Sequence, residues 1–433
     1  MQKKLFNIHF LSFFIFLFIN IPSLYAQTGK IKILEIKDAI EIAMKDNPEL
    51  AQIDARYKAM NEIPSQVATL PDPVLTLGLA NFPTDTFSRT QEAMTQLQIG
   101  MSQQFPFPGK LTLRKDAAQL EANAASFLVD EMRLKLQQSI ANTWWEIFYF
   151  DRALETIAIN QVLIRQFIKV AQTKYEDGQG LQQDILLAQL ELSKTMDQKI
   201  IVVSLRRLQV VRLSKLMGTS NMQNFILPSK VEKTLQSLKD ENTLYKISEQ
   251  SRPILHFKKK KLLASNVRVS LAKKEYYPDF KLSVLYGQRS GVTTLNDARS
   301  DLVSVMLGVK IPLYIESKQS KAVEQRISEQ HSKNYALADE RLQIYADISS
   351  SVAKYKQAKE QFLLLEKGII PQARQTVDSM LVGYRVNKVD FLNLIRSQVT
   401  LFNYQLQYWR IFSNSKQAAR DVQAAIGKES IYE

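Results

Sequence analysis

The sequence repeats in outline, with matching segments about 206 residues apart, and this duplication limits the possible folds more than any other feature. Three pairs of segments match: 47–50 with 252–255, 70–73 with 277–280, and 97–107 with 303–313. Each half therefore predicts the same order of elements, namely helix, strand, strand, very long helix and helix. We place the first structural repeat at residues 27–228 and the second at 229–433.

Two short segments in each half alternate apolar and polar residues, the pattern of a β-strand with one wet face. We predict strands at about 74–82, 94–105, 280–288 and 302–311, each of about the length that a tilted membrane-spanning strand needs. An ordinary half-buried sheet would alternate in the same way. Four strands leave two open edges, however, and lipid does not tolerate open edges. If these strands cross a membrane, several chains must share one closed sheet.

After each strand pair the sequence predicts a helix far longer than the usual dozen residues. Neither proline nor glycine occurs between Lys110 and Tyr175, which allows a helix of roughly 60 residues and about 90 Å. Apolar residues recur along it at threes and fours, as in a coiled coil, although a plain helical bundle gives the same rhythm. The matching helix contains Pro371, so we expect a kink or a local unwinding there.

Each long helix ends at a turn that leads into a returning helix. Gly178 and Asn387 suit the left-handed conformation that ends a helix. Asp184 and Asp390 suit the start of the returning helices, where capping and the helix dipole favour a carboxylate. Counted to these aspartates, the second turn is about three residues shorter than the first. Capping alone and a second role in a pore mouth are both open for the two carboxylates.

The N-terminus has the pattern of a cleavable secretory signal. Lys3 and Lys4 precede an apolar run from Ile8 to Ile21, and a small-residue site follows at Ala26, so we predict a signal peptide at 1–26. A single membrane anchor is the alternative, but the run is shorter than the roughly 20 residues that a bilayer requires. Cysteine is absent, so neither a disulfide nor a lipid-modified cysteine contributes.

Composition and motifs argue against several classes of function. The net charge is +14 over 433 residues, but the lysines and arginines are dispersed along helices without a nucleic-acid-binding pattern. The densest run, 258–261, favours a solvated helix face. His256 and His331 have no partner at metal-ligand spacing, and the chain offers neither a thiol nucleophile nor a phosphate-binding glycine loop. We therefore expect a protein that is not an enzyme, with no cofactor, no metal site and no nucleic-acid partner.

The order of the elements, their duplication, the paired turns and the strand exit Gln-Phe-Pro-Phe-Pro-Gly-Lys at 104–110 resemble the TolC family of outer-membrane efflux proteins. The resemblance covers essentially the whole mature chain, and the strand exit is similar to that of the heavy-metal, CzcC-like branch. It implies a mainly α fold with a small β part. In a homotrimer, each protomer would give four strands to an outer-membrane β-barrel of about twelve strands, continuous with a periplasmic α-helical barrel.

The resemblance also implies a function and partners. The trimer would be the passive exit duct of a tripartite efflux system for small molecules or metal cations, set in outer-membrane lipid. It would dock onto a periplasmic adaptor protein and an inner-membrane pump of the RND type. Two other classes stay open. A periplasmic adaptor should show a lipoyl-like β module and one hairpin, and a coiled-coil structural protein of the envelope would leave the alternating strands without a role.

A gate at the periplasmic tip is the last implication of the resemblance, closed by polar links between helix hairpins and ringed by acidic residues. By position, Asp390 falls on an entrance aspartate, while Asp184 and Tyr384 fall on partners in the closing network. The second acidic position falls on Asn393, so this mouth should carry less charge, and Lys388 lies in the same shortened turn. A ring of Asp390 carboxylates would select for cations.

Overall fold

The computed structural model describes residues 32–219, 225–428 and 430–432. The predicted signal peptide at 1–26 lies outside these residues. In chain order the first half comprises β1 (Lys32–Ile33), α1 (Ile36–Asp46), α2 (Pro48–Asn61), α3 (Ile63–Ala68), β2 (Val74–Ala80), β3 (Gln96–Phe105), α4 (Lys110–Glu176) and α5 (Gln182–Leu216).

The first half ends with β4 (Phe225–Ile226), and the second half follows the same order. It comprises α6 (Glu241–Ser251), α7 (Pro253–Lys274), β5 (Asp279–Arg289), β6 (Leu302–Lys310), a π-helical turn (Ile315–Ser320), α8 (Lys321–Leu364), a second π-helical turn (Leu365–Ile369), α9 (Ile370–Arg385) and α10 (Phe391–Ile426). The predicted duplication of helix, strand, strand, long helix and helix is confirmed.

The four long strands form one antiparallel sheet in the order β2-β3-β5-β6. Residues pair in rows that cross all four strands, and one such row is Leu77, Ile99, Tyr286 and Val303. Because side chains alternate between the faces of a strand, these rows collect most of the apolar residues on a single face of the sheet. β2 and β6 are the two edge strands. A separate two-residue parallel ladder joins β1, near the start of the first half, to β4, near its end.

The long helices lie side by side in one layer. α4 has 67 residues and so spans about 100 Å. On the side away from the sheet, α4 packs against α5 and α10, and α10 packs against α8 and α9, which gives the order α5, α4, α10, α8–α9. Nearer the sheet, α7 lies between α4 and α8. Within the described ranges no helix combines the length and the apolar character needed to cross a membrane.

An aromatic cluster holds the middle of this layer. Trp144, Trp145 and Phe148 of α4 meet Phe412 of α10, and all four side chains are buried. The indole Nε1 of Trp144 donates to the backbone oxygen of Leu34 at 2.9 Å, which ties the segment after β1 to the layer. Apolar residues at spacings of three and four thus form the core that the sequence pattern predicts.

α8, the second π-helical turn and α9 together form the second long rod, which is locally unwound where the sequence predicts it. The π-helical turn Leu365–Ile369 immediately precedes α9, whose second residue is Pro371. Proline lacks the amide hydrogen of a regular helix and its ring crowds the carbonyl four residues earlier, and a π-helical turn relieves both.

The lysine run 258–261 is less exposed than a solvated face would be, because α7 lies between α4 and α8. All four lysines are half-buried. Lys258 pairs with Glu340 of α8 at 3.2 Å and Lys261 pairs with Glu121 of α4 at 3.8 Å. The run therefore contributes to contacts between helices.

Candidate functional site at the helical tip

The two turns at the far end of the helices have the same hydrogen-bonded geometry. At the first, Gly178 has φ +70° and the Gln179 amide donates to the Lys174 carbonyl at 2.8 Å. At the second, Asn387 has φ +58° and the Lys388 amide donates to the Gly383 carbonyl at 2.9 Å. Both are Schellman motifs, in which a residue in the left-handed conformation ends the helix. The predicted roles of Gly178 and Asn387 are confirmed.

The expectation that the second turn is three residues shorter is wrong. Residues 177–181 separate α4 from α5 and residues 386–390 separate α9 from α10, which is five residues in each case. The error came from pairing Asp184 with Asp390 as if both began a helix. Only Asp390 directly precedes its helix, whereas Asp184 is the third residue of α5. Structurally, Asp184 corresponds to Asn393, and Asp390 corresponds to Leu181.

Capping does not explain either carboxylate. Asp390 occupies the N-cap position of α10, but its side chain makes no capping hydrogen bond. Asp184 instead accepts a hydrogen bond at 3.2 Å from the Tyr384 hydroxyl, which belongs to the other hairpin. The Asp184 and Tyr384 side chains are buried, with 8% and 5% of their surfaces exposed. This bond joins the two hairpins of one chain at the tip.

Lys174 is a member of this site that the sequence reasoning missed. Its side chain is buried, and its Nζ donates to the Tyr384 backbone oxygen at 2.7 Å and to the side-chain oxygen of Asn387. The same Nζ lies 4.7 Å from the centre of the Tyr384 ring, a cation–π contact. The available signal was its position, because Phe167, Ala171 and Lys174 follow the helical repeat of buried residues.

Burial controls the protonation of this site. It raises the pKa of the Asp184 carboxyl, and the nearby Asp390 charge raises it further, while the Tyr384 hydrogen bond and the Lys174 charge oppose the rise. Burial and the Asp184 charge also raise the pKa of the Tyr384 hydroxyl far above its ordinary value. Tyr384 therefore stays protonated and remains a hydrogen-bond donor at any physiological pH.

The five residues singled out from the sequence all lie at this tip, in two settings. Asp184 and Tyr384 are buried and in contact, whereas Lys388, Asp390 and Asn393 are exposed on the second turn and the first turn of α10. Among the residues that the structure describes, no group of three or more His, Cys, Asp and Glu side chains could hold a metal ion. The tip therefore offers a buried polar junction beside an exposed surface of mixed charge.

A short antiparallel sheet at one end, two long helical hairpins and a polar junction at the other end match the architecture that the sequence resemblance implies. The sequence agrees, because the family model described as outer membrane efflux protein matches residues 244–428. The matched segment covers less than half of the chain and nearly all of its second half. The predicted resemblance is thus supported by sequence over residues 244–428, and the predicted mainly helical fold is confirmed.

Relatives and solved structures add detail. The cobalt-zinc-cadmium resistance protein CzcC of Cupriavidus metallidurans is 19% identical over 179 residues, which is 41% of this chain and 41% of CzcC. The match thus spans less than half the length of this curated relative. The solved structure of CusC has a TM-score of 0.78 at 15% identity, covering 94% of this chain and 96% of that one. VceC of Vibrio cholerae has a TM-score of 0.76 at 18% identity, covering 91% and 96%.

Proposed function

We propose that three copies of this chain form the outer-membrane channel of a tripartite efflux system, a passive exit duct for small molecules or metal cations. The observation that carries the proposal is the uncovered apolar face of the sheet. In the row that crosses its centre, Leu77 is 72% exposed, Ile99 49%, Tyr286 43% and Val303 69%. A contiguous apolar face of this size is unstable in water and suits contact with lipid.

The open edges of the protomer support assembly with further copies. β2 and β6 end the sheet, and four strands are too few to close, since the smallest closed sheets of this kind have about eight. The helix layer is also open on both sides, because α5 and α8–α9 are its outermost members. α5 exposes apolar side chains along its whole length, among them Leu186, Leu190, Ile200 and Leu208. A ring of identical copies would cover all of these surfaces at once.

The tip is proposed as the mouth of the duct, formed by Asp184, Tyr384, Lys388, Asp390 and Asn393. The buried pair would hold the two hairpins of each copy together, Lys388 and Asp390 would face the passage, and Asn393 would lie at its rim beside the next copy. Lys388 and Asp390 carry opposite charges two residues apart, so a ring of three copies would hold a nearly neutral mouth. Asp390 would then favour cations, and Lys388 would weaken that preference.

A periplasmic adaptor protein and an inner-membrane pump of the RND type are the proposed partners. Metal cations are included as cargo because the relative CzcC is described as a cobalt-zinc-cadmium resistance protein. The two alternative functions are those of a periplasmic adaptor and of a coiled-coil structural protein of the envelope. Neither gives a role to an apolar sheet face that nothing in the described chain covers, so the channel is favoured.

Placing a charge on each face of one strand tests the lipid contact. Leu77 and Thr76 are neighbours at the middle of β2 and point to opposite faces. Leu77→Lys should cost about 2–4 kcal/mol of membrane insertion, whereas Thr76→Lys on the other face should cost little. The measurement is the yield of heat-resistant trimer after detergent extraction of outer membranes. Equal yields from the two variants, or extraction of the unaltered protein without detergent, would contradict the proposal.

Single-channel recording tests the mouth. In planar bilayers, Asp390→Ala should lower the preference for cations over anions, and Lys388→Ala should raise it. The two variants serve as each other's controls, because both shorten an exposed side chain in the same turn. Unchanged ion preference in both would remove these residues from the passage without affecting the evidence for a channel.

A further inference from the structure

We infer that neighbouring copies meet at the tip through Tyr175 of one copy and Asn393 of the next. This boundary between hairpins, called a seam, has no counterpart of the charges of Lys174 and Asp184 in the junction within each chain. The inference rests on the proposed assembly and adds to it a specific contact between copies. It predicts two kinds of seam around one ring, one that contains the buried Lys174 and Asp184 and another that contains their uncharged counterparts Gly383 and Asn393.

The argument starts from the matched turns. Because both are Schellman motifs with five residues between helices, positions at equal distance from the left-handed residue are structurally equivalent. Tyr175 is equivalent to Tyr384, since each lies three residues before it. Asp184 is equivalent to Asn393, since each lies six residues after it and is the third residue of its helix.

Within one chain, the second hairpin supplies Tyr384 and the first hairpin supplies Asp184. In a closed ring, first and second hairpins alternate, so each second hairpin also has the first hairpin of the next copy beside it. The counterpart of the Tyr384 to Asp184 bond across that boundary is Tyr175 of the next copy donating to Asn393. Tyr175 is 48% exposed in the isolated chain and Asn393 is also exposed, so both are free to meet a second copy.

Apolar residues beside the turn show the same asymmetry. Ile395 of α10 is only 7% exposed, because it packs inside the cluster that joins the two hairpins. Its counterpart in α5 is Leu186, which is 56% exposed. One of the two equivalent surfaces is thus covered within the chain, and the other is left open at the boundary where the next copy would lie.

The two seams differ in chemistry. The counterpart of Lys174 is Gly383, which has no side chain to donate, and the counterpart of Asp184 is Asn393, which has no charge. Tyr175 could form one hydrogen bond across the boundary, whereas the junction within the chain also includes the contacts of the Lys174 ammonium group with Tyr384 and Asn387. The boundary between copies should therefore separate more readily than the junction within one chain.

Site-specific cross-linking tests the contact, and the absence of native cysteine makes it clean. A disulfide needs Cα atoms within about 7 Å, and a tyrosine side chain alone nearly spans that length, so a short bismaleimide is the better reagent. In the trimer, Tyr175→Cys with Asn393→Cys should give covalently linked dimers and trimers on denaturing gels. The matched pair Asp184→Cys with Tyr384→Cys should be linked within the chain and keep the monomer mass.

The outcomes separate this inference from the proposed function. A trimer that forms but shows no link between residues 175 and 393 overturns the seam and leaves the channel standing. A chain that never forms a trimer overturns the proposed function itself. If the cysteine pair disturbs assembly, a photoreactive phenylalanine analogue at position 175 tests the same contact. An adduct on the first turns of α10 in another copy supports the seam, and an adduct within its own chain overturns it.

Discussion

Removing the charge of Lys110 should destabilise the junction between the sheet and the helices. Lys110 begins α4, and its side chain is 1% exposed. Its Nζ donates to the Asp279 carboxylate at 2.9 Å, the Glu275 carboxylate at 3.0 Å and the Tyr277 backbone oxygen at 3.1 Å. The first half of the chain is thereby fixed to the second half where β5 begins. A cation at a helix N-terminus opposes the helix dipole, so the two carboxylates must offset both that cost and burial.

The size of the effect follows from what Lys110→Met leaves behind. Breaking a buried ion pair by removing one partner costs about 3–5 kcal/mol. Asp279 is 13% exposed and would stay desolvated, whereas Glu275 is 42% exposed and could turn to water. We therefore expect the lower end of that range, about 3 kcal/mol of the free energy of unfolding at pH 7.

Urea unfolding of the detergent-solubilised protein, followed by tryptophan fluorescence, would measure this loss. The matched control is Lys321→Met, because Lys321 pairs with Glu324 at 2.8 Å but both side chains are more than 60% exposed. Such exposed pairs contribute about 0–1 kcal/mol. Combining Lys110→Met with Asp279→Asn should recover part of the loss, since the stranded charge is gone. A loss below about 1 kcal/mol for Lys110→Met would refute the reasoning, because the pair would then behave as an exposed one.

Three further predictions concern the tip and the helix ends. The fold raises the pKa of Asp184, so its protonated form stabilises the tip, and that stability is lost as pH rises through the raised pKa. Hydrogen exchange of amides at the tip, corrected for the intrinsic effect of pH on the exchange rate, should therefore be faster at neutral than at acidic pH. Asp184→Asn should abolish the difference. Gly218→Ala should lower the free energy of unfolding by more than about 2 kcal/mol, because φ is +73° and the new Cβ would lie 2.4 Å from the Asp46 backbone oxygen. Gly178→Ala should lower it by about 1 kcal/mol, because φ is +70° but the space around it is open. Equal denaturation midpoints for the two variants would contradict this. Arg252→Met should cost about 3 kcal/mol, the lower end of the range for a broken buried ion pair, because the buried Glu131 loses its partner at 2.9 Å and keeps only the exposed Lys135 at 3.5 Å. Adding Glu131→Leu should restore stability in urea unfolding if the charge is the cause.

The sequence predicts those parts of the fold that repeat with a clear period. The strands alternate with period two, and the 67 residues of α4 contain no helix breaker, so both could be recognised without a structure. The second turn was misread because an aspartate suits several positions at the start of a helix, and only backbone hydrogen bonds fix which position it takes. Lys174 and Lys110 could not be recognised, since their partners are about 170 to 210 residues away and a lysine gives no sign in the sequence that it is buried.

The π-helical turn Leu365–Ile369 changes how the second rod keeps step with its neighbours. A straight α-helix drifts about 20° per heptad against a 3.5-residue repeat. Over α8 and α9 together, residues 321–385, the drift would reach about half a turn and carry side chains near the tip off α10. A π-helical turn takes up one extra residue, so each residue after it lies about 100° further back around the helix axis than in an unbroken α-helix. α4 is α-helical from Lys110 to Glu176 and undergoes no such displacement. The face that α9 presents near the tip is therefore set by one local insertion, whereas the face of α4 is set by its whole length.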